Sequence, residues 1–176
     1  MSVRPLYADD LVDLAYHLAG RGAGPGKPRT IWLRRAISTA YYAVFHELTT
    51  QAAAELAESA RSDQQHKAAR WISHTDLRAL ADGVLGRGSA RAVLTVLDPL
   101  APEPELVSRR FVQLQDARHQ ADYDHGYATP RSQALKLVDF ADQAVRTARH
   151  LNRNQDPSYR VFLRLMVGSV KIARNR

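Results

Sequence analysis

The chain contains no cysteine, which excludes disulfide staples, thiolate zinc sites and a cysteine nucleophile, and suits a reducing compartment. It also lacks any run of about 18 apolar residues, the length a membrane-spanning helix needs. The stretch Met1 to Asp13 has no apolar run behind a basic start, so neither a secretory leader nor a membrane span is expected, and a cytoplasmic protein without membrane partners is. Lysine is scarce as well: Lys27, Lys67, Lys136 and Lys171 account for four of the 25 basic residues. The other 21 are arginine, the planar, permanently charged donor that matches phosphate.

What is present suits one folded domain, or one domain with an appendage. A chain of 176 residues buries roughly 70% of its unfolded surface. Its 45% hydrophobic and 24% charged composition is that of an ordinary globular protein. The formal charge of +7 favours encounter with polyanions if it is gathered on one face. GC-rich coding would also enrich arginine, so charge alone leaves nucleic-acid contact open.

Periodicity predicts helices throughout. Leu11, Leu14, Ala15 and Leu18 recur at helical spacing before the loop Gly20 to Pro28, with its four glycines and two prolines. A long helix is expected from about Thr30 to Glu58, with Leu33, Ile37, Ala40, Tyr41, Val44 and Leu48 on one face. Shorter pieces are expected around Gln64 to Ile72 and Thr75 to Leu85. Further helices follow from Glu103 to Tyr123, from Pro130 to Leu151 and from Ser158 to about Ala173. No alternating strand pattern appears, and an all-α bundle of five or six helices is the expectation.

Several familiar motifs fail on inspection. In the loop at Gly20 to Pro28, Arg21 stands where the first glycine of a phosphate-cradling loop belongs and Pro28 replaces its metal-binding hydroxyl. No strand precedes it. The seven histidines show no paired spacing with a glutamate base on one helical face, and no Gly-x-Ser-x-Gly turn exists. Neither metal nor cofactor is expected.

The densest run of titratable groups is Arg118-His119-Gln120-Ala121-Asp122-Tyr123-Asp124-His125-Gly126-Tyr127. Such groups hold a phosphate and move its protons. Arg118 and His125 lie seven residues apart, on one side of a helix with a rise of about 10 Å between them. Two readings are open. The pair converges on one phosphate at a frayed helix end, or Arg118 pairs with Asp122 at i, i+4 while His125 sits at the helix C-terminus, favoured by the dipole. On the long helix, Arg35, Ser38, Tyr42 and His46 fall three and four apart as a polar stripe. That stripe is either a solvated face or one suited to a partner subunit or a stacked base.

Together the two segments resemble the HEPN superfamily of small α-helical domains. Arg35-Ala36-Ile37-Ser38-Thr39-Ala40-Tyr41-Tyr42-Ala43-Val44-Phe45-His46 is similar to its R-A-x-S-x-A-Y-Y-A-x-F-H segment, and Arg118 to Asp124 to its R-x-x-A-D-Y-D segment. The likeness covers about residues 8–150. It implies a HEPN-like up-and-down bundle over residues 1–152, with 153–176 as a basic C-terminal helix packed on it or extending it.

The resemblance further implies a homodimer in which Arg and His of both subunits line one cleft, with the stripe Arg35, Ser38, Tyr42 and His46 lining it too. Many members are metal-independent endoribonucleases of toxin–antitoxin or phage-defence systems, leaving 2′,3′-cyclic phosphate ends. In that reading Arg118 holds the phosphate and His125 transfers protons. His119, Asp122, Tyr123 and Tyr127 support them, RNA is the substrate, and a nucleotidyltransferase-type antitoxin is the partner. Other members are non-catalytic modules that bind RNA or a nucleotide, or dimerise beside a nucleotidyltransferase. A third expectation, from another class, is an interaction domain whose C-terminal helix from Ser158 docks a partner.

Overall fold

The computed structural model describes residues 7–22, 26, 28–56, 62–88 and 102–167. Seven α-helices and no strand form among them. They are α1 (Ala8–Leu18), α2 (Thr30–Leu56), α3 (Ser62–Ala69), α4 (His74–Val84), α5 (Pro102–Tyr123), α6 (Arg131–Arg153) and α7 (Pro157–Leu165). The all-α expectation holds, but the count exceeds five or six. The two short helices expected after α2 both form, and Ser73 starts the second. Its hydroxyl accepts the Asp76 amide at 3.1 Å and donates to the Asp76 carboxylate at 2.7 Å, an N-cap of α4.

α2 is the spine. It packs against α1, α3, α5, α6 and α7, and its Ile37, Tyr41, Val44 and Leu48 are almost wholly buried. Burying a large apolar side chain stabilises by about 1.5–3 kcal/mol, so this stripe anchors the fold. Phe111 and Leu114 of α5, Val138 and Val145 of α6 and Phe162 of α7 complete the core. The expected extension of α2 to Glu58 and of the last helix to Ala173 falls partly outside the described residues, as does part of the Gly20 to Pro28 loop.

α7 is tied to α2 by a buried bond from the Tyr159 hydroxyl to Gln51 Oε1 at 2.7 Å. Arg160 Nε, 3.0 Å from Glu55, and Arg164, 2.7 Å from the same carboxylate, continue that seam. Asp156 caps the helix by accepting the Tyr159 amide at 2.7 Å. No helix among the described residues is long and apolar enough to cross a membrane.

Candidate functional site

The first half of α2 meets the last turns of α5, and the register is antiparallel. Arg34 Nε donates to the Ala121 carbonyl at 2.6 Å, placing a cation at the carbonyl end of α5 where the helix dipole favours it. One turn on, the Ser38 hydroxyl donates to Asp122 Oδ1 at 2.5 Å. The other oxygen of that carboxylate accepts Arg118 Nε at 3.0 Å, which is the i, i+4 pairing. Both partners are largely buried, with side-chain exposures of 18% and 19%.

Beyond this pair the site is aromatic. The Arg118 guanidinium carbon lies 5.1 Å from the ring centroids of both Tyr41 and Tyr42, within cation–π range. Burial works against its charge, but Tyr42, the bond to Asp122 and Tyr41 outweigh it and hold its pKa above the ordinary value. From α4 comes His74, whose ring stacks on Phe45 with centroids 3.9 Å apart and meets Tyr42 edge-on at 5.9 Å. Its Nδ1 lies 2.6 Å from the Tyr41 hydroxyl. His46, one turn beyond Tyr42, stacks against that phenol at 6.1 Å.

Two histidines border this cluster, and both have pKa values below the ordinary 6.5. Desolvation lowers the pKa of His74, and the charges of Arg118 and His46 lower it further. Partial burial lowers that of His46. Tyr41, by contrast, is held well above its ordinary pKa by burial, against the pull of the Arg118 charge, so its proton stays on.

Of the residues singled out from sequence, Arg118, Asp122, Ser38, Tyr42 and His46 therefore come together. The solvated-face reading of the α2 stripe fails at its centre: Ser38 is buried because α5 lies over it. Arg35 does face solvent and makes no ion pair among the described residues. His119 is exposed and packs its ring on Tyr123 at 5.0 Å, and Tyr123 is itself 64% exposed. α5 ends at Tyr123, and a turn follows in which Asp124 Oδ1 accepts the Gly126 amide at 2.9 Å. His125 sits exposed on that turn, without a hydrogen bond or ring contact among the described residues. Tyr127, half-buried, leans on the core.

Tyr41, His74 and Arg34 belong to this site but were not among the residues singled out. Tyr41 lies on the apolar face of α2 and is core, yet its hydroxyl faces a histidine. The signal for His74 was the Ser-x-x-Asp capping pattern at Ser73 to Asp76, which puts His74 at a helix start. Among the described residues no three or more histidines or carboxylates converge as metal ligands.

No protein-family model, no curated protein and no solved structure matches the chain.

Proposed function

We propose that the chain is a HEPN-like helical module that binds RNA without cutting it, through the face centred on Arg118. The observation that carries this reading is the lock on Arg118. Its Nε is committed to Asp122, which Ser38 holds from the other side, and no imidazole poised for proton transfer is bonded to it. A general acid or base must stand within about 2.6–3.2 Å of the proton it moves, or one water away. His125 lies past the helix end and makes no contact with Arg118 among the described residues. A fixed cation flanked by phenols, with Arg35, which makes no ion pair among the described residues, one turn before Ser38 on α2, suits a phosphate backbone with stacked bases.

The second reading is the metal-independent endoribonuclease formed across a dimer. The position of His125 favours it, since an exposed, unpartnered imidazole on a turn is free to meet the Arg118 of a second copy. Incubation of the pure protein with single-stranded RNA in EDTA separates the two. Binding without cleavage is the expected result. RNA ending in 2′,3′-cyclic phosphate, with cutting lost in His125→Ala, would establish the nuclease instead.

A further inference from the structure

The Tyr41 hydroxyl is fully buried; Arg118 donates to its oxygen, and the one acceptor within its reach among the described residues is His74 Nδ1. A buried O–H needs an acceptor. The neighbouring Arg118 offers only donors, so the phenol hydrogen points at Nδ1 and the imidazole carries its own proton on Nε2. That Nε2–H has no protein partner among the described residues, although the ring is half-buried and pinned by Phe45 and Tyr42. A half-buried donor, held in one tautomer and left unmatched next to a guanidinium, is arranged for an anion.

We propose that His74 is an anion-binding residue, its Nε2–H joining Arg118 to hold a phosphate group, with Tyr42 and His46 as the aromatic wall beside it. This rests on and deepens the RNA-binding reading, because it names the group recognised and a residue from α4 that recognises it. Tyr41 is the positioning residue: it does not touch the ligand but sets which nitrogen of His74 donates. The ligand chemistry is a phosphate oxygen, from an internal diester of RNA or from a terminal monoester.

Inorganic phosphate titrated into the full chain, followed by the ¹⁵N resonances of the histidine imidazoles, tests this directly. Free protein should show His74 as the neutral Nε2–H tautomer, and phosphate should shift its Nε2 signal, an effect lost in Arg118→Gln. Two substitutions then separate binding from structure. His74→Asn keeps an acceptor for Tyr41 but has no atom at the Nε2 position, and should weaken binding of a short unphosphorylated RNA about tenfold, the worth of one hydrogen bond to a charged group. His74→Gln reaches the Nε2 position with an amide N–H and should restore most of that loss. A fivefold or greater gain on adding a 5′-phosphate to the same RNA would assign the site to a terminal monoester, and equal affinity to a diester. An unmoved His74 signal, or His74→Asn binding like the parent, overturns the proposal even if RNA still binds. A shifted His74 signal in a protein that ignores RNA leaves the anion site standing and removes the RNA reading.

Discussion

Two arginines at the heart of this molecule are each held by carboxylates, with opposite consequences. Arg149 of α6 donates to both oxygens of Asp9 in α1, at 2.7 and 2.8 Å, and to Glu47 of α2 at 2.8 Å. Those bonds, chiefly the one to Glu47, outweigh burial and raise its pKa far above the ordinary value. Glu47 also accepts Gln51 at 2.7 Å, and Gln51 accepts Tyr159, so a single network ties α1, α2, α6 and α7. Arg118 has one carboxylate, shared with Ser38, and elsewhere lies over the rings of Tyr41 and Tyr42 and donates to the Tyr41 hydroxyl. The groove beside Arg149, about 600 Å³ and lined also by Arg146 and Arg153, looks basic by composition. Its central cation is nevertheless spent on carboxylates. Arginine density alone does not mark a ligand site.

That contrast can be broken experimentally. Arg149→Ala strands Glu47, whose side chain is only 14% exposed. We expect a loss of about 1–3 kcal/mol, read as a fall in Tm of about 2–4 °C per kcal/mol for a chain of this size, with RNA affinity unchanged. Tyr159→Phe leaves Gln51 Oε1 buried and unpaired and should cost about 1–2 kcal/mol by urea denaturation, again without effect on RNA. Asp122→Asn works the other way: it removes the counter-charge from Arg118, so RNA affinity at low salt should rise a few-fold while stability falls by about 1 kcal/mol. Equal affinity in that variant would mean Arg118 does not face the ligand.

The smallest expected effect is on pH dependence. The groups facing His74 are Arg118 from α5 and Tyr41, Tyr42 and His46 from α2, and its folded pKa lies below the ordinary 6.5. The unfolded chain therefore binds the proton first as pH falls. Stability is fully present above about pH 6.5 and is lost below it, toward the folded pKa. His74→Asn should flatten that acid slope relative to the parent in denaturation curves taken from pH 7.5 to 5. An unchanged slope would place His74 in a more solvated setting than its packing on Phe45 implies.

How far the sequence could be read follows from the range of each interaction. The helices were legible because 3.6-residue periodicity is local, and so was the Arg118–Asp122 pair, one turn apart on α5. Ser38 at Asp122 and His74 at Tyr41 join residues 84 and 33 positions apart. Only tertiary packing decides those meetings. The aromatic pair Tyr41-Tyr42 shows the same limit, since both rings flank one guanidinium while adjacent positions point to different sides of a helix. His125 shares a side with Arg118 only if the helical register carries on to it; α5 stops at Tyr123, as its sequence pattern implied, and the Asp124 turn breaks that register.

The most direct test sets the two arginines side by side: the affinity of Arg118→Gln and Arg149→Gln for a fluorescein-labelled single-stranded RNA, measured by anisotropy at one fixed salt concentration. Arg118→Gln should lose about tenfold or more, the worth of roughly 1.4 kcal/mol, while Arg149→Gln, once shown to be folded, should bind like the parent. Equal losses, or a larger loss in Arg149→Gln, would contradict a ligand site at Arg118.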